Sequence, residues 1–136
     1  MLIQKLKKHL FTIVNMFSLH QEIEVWYIIP AVRKELAKFL VSEYALSYEK
    51  TGKILGISKA AVSQYISNKR ANKITLSSQV CEEIVKSGKI LYENPKMGVH
   101  EIQKILTFMK TQKATCEVCK QFNKEVLEYC NSLPNY

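Results

Sequence analysis

The sequence predicts an all-α fold, in which a helix-turn-helix DNA-binding domain is followed by a small helical region that carries cysteines. Apolar residues recur every three or four positions over most of the 136 residues, and strand signals are confined to residues 23–29 and 89–92. The apolar content of 47% is typical of a globular chain with its own core. Between residues 47 and 73, glycines and serines are spaced as in two short helices around a tight turn.

An amphipathic helix is predicted over residues 1–19. Its apolar residues share one face, away from its lysines: Leu2, Leu6, Leu10, Ile13 and Phe17. We favour packing of this helix on the domain or on a second copy, and the alternative is binding at a membrane surface. No small-residue cleavage site follows, and no apolar run is long enough to span a bilayer. We therefore expect a soluble, cytoplasmic protein without a membrane partner.

Residues 20–73 are predicted to form the DNA-binding domain. Pro30 suits the first turn of a helix over residues 30–44. Ser47 is a suitable N-cap for a second helix that ends at Leu55, after which Gly56 supplies the turn. Ser58 caps a third helix over residues 59–68, and a loop follows at residues 72–73.

Residues 74–136 are predicted to form a helical region for metal or cluster binding and dimerisation. Ser77 or Ser78 caps a helix through Lys86 that stops at Gly88, and Asn94-Pro95 marks a break. Further helices are predicted over residues 98–110 and 116–132. In the helix that ends before Gly88, the residues expected to face inward are Val80, Ile84 and Val85. In the helix over residues 98–110, they are Val99, Ile102, Ile105, Leu106 and Met109.

The charge of the chain points to an anionic partner. The formal net charge is +8, and residues 47–73 alone hold six basic side chains and one acidic side chain. A local basic surplus of this kind is typical of a segment that contacts nucleic acid phosphates. All 12 acidic residues are Glu, which excludes Asp-containing catalytic triads and EF-hand loops. We expect no enzyme, because no spacing brings Cys119 and His100 together as nucleophile and base.

The segment from Leu46 to Ile66 has the spacing of a helix-turn-helix. Gly52 is small where the second helix crosses the first, and Gly56 accepts the positive φ of the turn. Short polar groups then begin the second helix, where base edges are read, and cations follow its end, where phosphates bind. The predicted DNA-binding residues are Ser58, Lys59, Ala60, Ser63, Gln64, Asn68, Lys69, Arg70 and Lys73.

Individual roles follow from side-chain chemistry. Gln64 suits an adenine edge, Lys59 a guanine or a phosphate, and the Ala60 methyl group a thymine methyl. The residues after the helix suit phosphates and set the register without reading sequence. The alternative is a helical hairpin with a solvated, lysine-bearing face.

The four cysteines are candidate metal ligands. Cys116 and Cys119 form a C-x2-C pair, which presents two thiolates from one helical turn, and Cys81 and Cys130 complete a set of four. Four thiolates are enough for a [4Fe-4S] iron–sulfur cluster or, alternatively, for Zn. In one unbroken helix Cys130 would lie about 16 Å from Cys119, so the chain bends, Cys130 comes from a second subunit, or it is not a ligand. Cys81 is equally well explained as a small buried residue.

Two segments carry a family resemblance: PAVRKELAK, which begins at Pro30, and AAVSQYISNKR, which ends at Arg70. The stretch from Ile28 to Arg70 resembles the N-terminal domain of archaeal and bacterial helix-turn-helix transcriptional regulators predicted to carry an iron–sulfur cluster. CEVCK, from Cys116 to Lys120, is a weaker match. Members often have Pro-Cys-Glu where this chain has His20-Gln21-Glu22.

The resemblance implies a dimeric transcription factor whose cysteine-bearing part senses redox, iron or sulfur state. The sequence thus predicts a homodimeric regulator that binds double-stranded DNA and responds through a cysteine-ligated iron–sulfur cluster. The alternative is a Zn-stabilised protein-interaction module, or an antitoxin-like module, that uses the same helices against protein.

Overall fold

The structure, a computed structural model of the chain, describes residues 20–122. Within this range it contains helices and no strand, which confirms the all-α prediction. The predicted helix at residues 1–19 and Cys130 lie outside the described residues. The elements are α1 (His20–Ile23), a π-helical turn (Glu24–Ile28), α2 (Ile29–Tyr44), α3 (Tyr48–Leu55), α4 (Lys59–Ile66), α5 (Ser78–Glu93), a 3₁₀ turn (Pro95–Met97), α6 (Gly98–Thr111) and α7 (Ala114–Phe122).

Helix α2 lies at the centre of the fold. Val32, Leu36 and Leu40 recur at intervals of four residues on one face, and all three are fully buried. Helices α3, α4, α5 and α6 all pack against α2. The core that results is continuous from Ile23 to Cys119. Helices from both of the predicted regions, 20–73 and 74–136, therefore share one core.

The strand signal at residues 23–29 is wrong, because this segment is helical. Ile29 N–H donates to the carbonyl of Glu24, five residues back, so the backbone widens to a π-helical turn immediately before Pro30. Pro30 has no N–H to donate, and the α-helix proper begins beside it, as predicted. The widened turn also buries Ile23 and Ile28, five residues apart, on the same side. Tertiary burial thus overrides the local β propensity of the segment.

Helix α5 does not stop at Gly88, as predicted, but continues to Glu93. A Cβ atom at Gly88 would lie 2.3 Å from the Phe39 ring, so this glycine is a packing position against α2 and not a helix end. The helix also includes residues 89–92, the second strand signal. Asn94-Pro95 does end it, as expected.

Most of the predicted core residues of α5 and α6 are buried, and two are not. Val80, Ile84, Ile102, Ile105, Leu106 and Met109 are buried, whereas Val85 and Val99 are exposed. Val85 follows Ile84 directly and so points about 100° away from it around the helix. Val99 lies in the first turn of α6, ahead of Ile102, which is the first of the predicted core residues of this helix that is buried. None of the described helices is at once long enough and apolar enough to cross a membrane.

Gly98→Ala is expected to lower the free energy of unfolding by about 1 to 3 kcal/mol. The added Cβ would lie 2.0 Å from the carbonyl oxygen of Ile54, and a backbone atom cannot rotate away. Urea denaturation measures the loss. Gly88→Ala is the control, because its neighbour is the flexible Phe39 ring, and it should cost less. Equal losses would show that the α6–α3 approach is not tight.

Candidate nucleic-acid interface

Helices α3 and α4 are joined by a three-residue turn that folds back onto Gly52. The Gly52 carbonyl accepts from the N–H groups of both Gly56 and Ile57, the latter at 2.9 Å. A Cβ at position 52 would lie 2.6 Å from the Ile57 carbonyl oxygen, so only glycine fits there. Gly56 has φ +71°, a left-handed conformation that glycine adopts without strain. Both glycines therefore have the roles that their spacing predicts.

Serine side chains cap both helices of the pair. Ser47 Oγ accepts from Lys50 N–H at 3.1 Å, and Ser58 Oγ accepts from Ala61 N–H at 3.0 Å. Each cap satisfies a backbone donor that has no partner inside the helix. The Ser58 cap fixes the first turn of α4, the end that carries the predicted base-reading residues.

Helix α4 has one buried face and one exposed face. Ala61, Val62 and Tyr65 are buried and hold the helix on the core. Lys59, Ala60, Ser63 and Gln64 lie on the opposite side and are exposed. With the residues before and after the helix, all nine predicted DNA-binding residues are exposed: Ser58, Lys59, Ala60, Ser63, Gln64, Asn68, Lys69, Arg70 and Lys73.

The segment after α4 is held by side-chain contacts that the sequence did not predict. Helix α4 ends at Ile66, two residues earlier than expected, and Asn68 and Ala71 have left-handed φ angles of 59° and 58°. The Nζ of Lys34, a buried lysine on α2, donates to Asn68 Oδ1. Asn72 Nδ2 donates to the Asn68 carbonyl at 3.3 Å. These contacts fix the path of a short segment that carries three cations.

Arg70 is positioned by an aromatic ring. Its guanidinium lies 5.9 Å from the centroid of the Tyr65 ring, within cation–π range. Because Tyr65 is buried in the core, this contact holds the start of the segment after α4 against the helix.

Trp26 is a candidate interface residue that the sequence did not predict. Trp26 is 48% exposed, and Val25 is 57% exposed. Both residues line a groove of about 280 Å³ together with Arg70 and Lys73. An exposed aromatic ring beside two cations is typical of nucleic acid contacts. The strand signal over residues 23–29 gave no reason to place Trp26 near Arg70. Only the packing of the π-helical turn brings them together.

The described residues do not assemble the predicted metal site. Within residues 20–122, no three Cys, His or Glu side chains lie close enough to share a metal ion. Cys116 and Cys119 lie one turn apart on α7, half-buried and buried respectively. Cys81, on α5, instead lines a cavity of about 350 Å³ with Lys34, Glu35 and Asn68. The cysteine pair alone does not fit a cluster that takes four thiolates.

The surroundings of Cys81 also disfavour a thiolate. Burial, and secondarily the Glu35 carboxylate, raise the pKa of the Cys81 thiol, while Lys38 lowers it less. Its Sγ lies 3.9 Å from the Leu76 carbonyl oxygen, which suits a protonated thiol. The iron–sulfur cluster and Zn both stay predictions, as does the role of Cys130.

Comparisons of the chain with protein-family models, with curated proteins and with solved structures found no match. The family resemblance and the homodimer therefore stay predictions, and the argument for function rests on the residues of the site.

Lys34→Met is expected to loosen the segment after α4 without unfolding the chain. Met keeps the apolar stem of the buried lysine but cannot donate to Asn68, so the amides of residues 68–73 should exchange about tenfold faster. Hydrogen exchange measures the change. Lys38→Met, one turn later on the exposed side of α2, is the control. Equal exchange in the two variants would show that the Lys34–Asn68 contact does not hold the segment.

Proposed function

We propose that this protein binds double-stranded DNA, with α3, the turn and α4 acting as a helix-turn-helix and α4 entering the major groove. The observation that carries the proposal is the division of α4 into two faces. Ala61, Val62 and Tyr65 are buried in the core. Lys59, Ala60, Ser63 and Gln64 are exposed. An exposed stripe of short polar residues at the start of a capped helix suits contact with base edges.

The cations around α4 support the same partner. Lys69, Arg70 and Lys73 follow α4 within seven residues, on a segment whose path is fixed by Lys34 and Tyr65. Fixed cations beside a reading helix set the register of the helix on the phosphate backbone. Four of the six basic residues of 47–73 are exposed at the two ends of α4, namely Lys59, Lys69, Arg70 and Lys73.

A sequence-reading DNA-binding protein of this size fits the class of transcriptional regulators, and we include that role in the proposal. A response to redox, iron or sulfur state requires a ligand set that the described residues do not supply, and metal analysis of anaerobically purified protein tests it. None of the nine proposed DNA-binding residues is a cysteine.

Replacing Lys59, Gln64 and Arg70 together with Ala is expected to weaken binding to a short duplex by tenfold or more, because both base and phosphate contacts are lost. The slope of log affinity against log salt should fall by about 2, since two cations are removed. Fluorescence anisotropy of a labelled duplex measures both quantities.

The control for this variant is Lys86→Ala combined with Lys89→Ala. It also removes two positive charges, but from exposed residues of α5. It should keep nearly the affinity of the unaltered protein. If the two variants weaken binding equally, the attraction is general and α4 does not read DNA. If the unaltered protein shows no salt-dependent DNA binding, the protein-interaction alternative is favoured.

Trp26 gives a second test, because it is the single tryptophan of the chain. Duplex DNA held by Arg70 and Lys73 would lie beside the exposed indole, so its fluorescence should change on binding. Emission titrations with duplex at low salt measure the change. The Lys86→Ala, Lys89→Ala variant should show the same change. Tight, salt-dependent binding with unchanged emission would place the DNA on another face.

A further inference from the structure

A second groove, which shares no lining residue with the groove beside Trp26, has the features of a ligand site. It lies between the start of α2, the end of α3 and the start of α6, and it has a volume of about 690 Å³. This volume lies within the range of small-molecule sites in proteins. Its described lining contains none of the nine proposed DNA-binding residues and none of Cys81, Cys116 and Cys119.

The lining combines an aliphatic surface with cations. The aliphatic part comes from all three helices: Ile29, Ile54, Leu55, Val99, Ile102 and Leu106. The charged side chains in the lining are Arg33, Lys53 and Lys96, and all three are cationic. Lys53 lies 3.7 Å from Glu49, but both of these side chains are largely exposed, so this ion pair is weak. The groove therefore complements a molecule that is apolar and negatively charged.

Arg33 indicates where the charge of such a molecule would lie. Its Nε is buried and has no hydrogen-bond partner among the described residues. A buried donor without an acceptor is costly, and nearly all such groups in folded proteins are satisfied. The planar guanidinium matches a carboxylate or a phosphate, which can accept two parallel hydrogen bonds from it.

We propose that this groove binds an amphipathic anion, with a carboxylate or phosphate head group at Arg33 and an aliphatic chain on the surface formed by Ile102 and Leu106. The chain supplies apolar burial, and the head group pairs with the Arg33 guanidinium at the edge of the groove. Lys53 and Lys96 add to the attraction for negative charge. The site does not depend on DNA binding, so either activity can fail without the other.

Isothermal titration of the full chain with decanoate, below its micelle concentration, tests the proposal. We expect saturable binding of one decanoate per chain. Acetate, which lacks the chain, should bind at least 100-fold more weakly, because each buried methylene group contributes to affinity. Decyltrimethylammonium, which has the opposite charge, should not bind. Decyl phosphate in parallel shows which head group Arg33 prefers. Equal binding of the cationic and anionic decyl compounds would overturn the proposal.

Two variants test whether decanoate binds in this groove. Arg33→Gln should weaken decanoate binding about tenfold, because it removes a charge-assisted hydrogen bond. Val99→Glu puts a carboxylate into the groove at a position that is 77% exposed, so the fold should tolerate it, and it should weaken binding by a similar factor. If Arg33→Gln does not fold, Val99→Glu decides.

Arg70→Gln is the matched control, since it removes one cation from a residue that does not line the groove. It should weaken DNA binding and leave decanoate binding unchanged. Decanoate binding that is unaffected by Arg33→Gln and Val99→Glu, or weakened equally by Arg70→Gln, would overturn the proposal and show only a general attraction to a basic surface.

Discussion

The structure depends on the burial of one helix, α2, by the helices around it. Val32, Leu36 and Leu40 form a continuous buried stripe, and four other helices pack on α2. The helix also carries Lys34, which contacts the segment after α4, and Arg33, which lines the groove beside α6. Both candidate binding surfaces are therefore built from residues of the same central helix, next to each other in the sequence.

The pair formed by α3 and α4 is held at close distance by backbone contacts. The turn comes so near Gly52 that no side chain fits, and its amides bond to the Gly52 carbonyl. These backbone contacts fix the approach of the turn to α3, and the buried side chains of Ala61, Val62 and Tyr65 hold α4 on the core. A rigidly held helix is what a surface that reads base edges requires, since small misplacements lose hydrogen bonds with strict geometry.

Cationic residues on this protein occur in two different settings. Around α4 they lie on an open surface with short polar residues and one exposed indole, which suits a large polyanion. In the groove beside α6 they surround aliphatic side chains in a concave space, which suits a small amphipathic anion. Net charge alone does not separate these two proposed binding surfaces. The separation comes from shape, and shape arises only when the helices pack.

The sequence by itself determined the helical class, the caps at Ser47 and Ser58, the glycine turn and the exposed residues of α4. It left the cap of α5 open between Ser77 and Ser78, and Ser77 caps the helix in the structure. These features follow from local rules: helical periodicity, the hydrogen-bond needs of a helix start and the φ angle of a turn. Tertiary structure decided that residues 23–29 are helical, that Gly88 lies inside a helix, and that Cys81, Cys116 and Cys119 do not form one metal-ligand group among the described residues. It also placed Trp26 beside Arg70. Each of these outcomes depends on contacts between residues distant in sequence, where burial against another helix outweighs local preference.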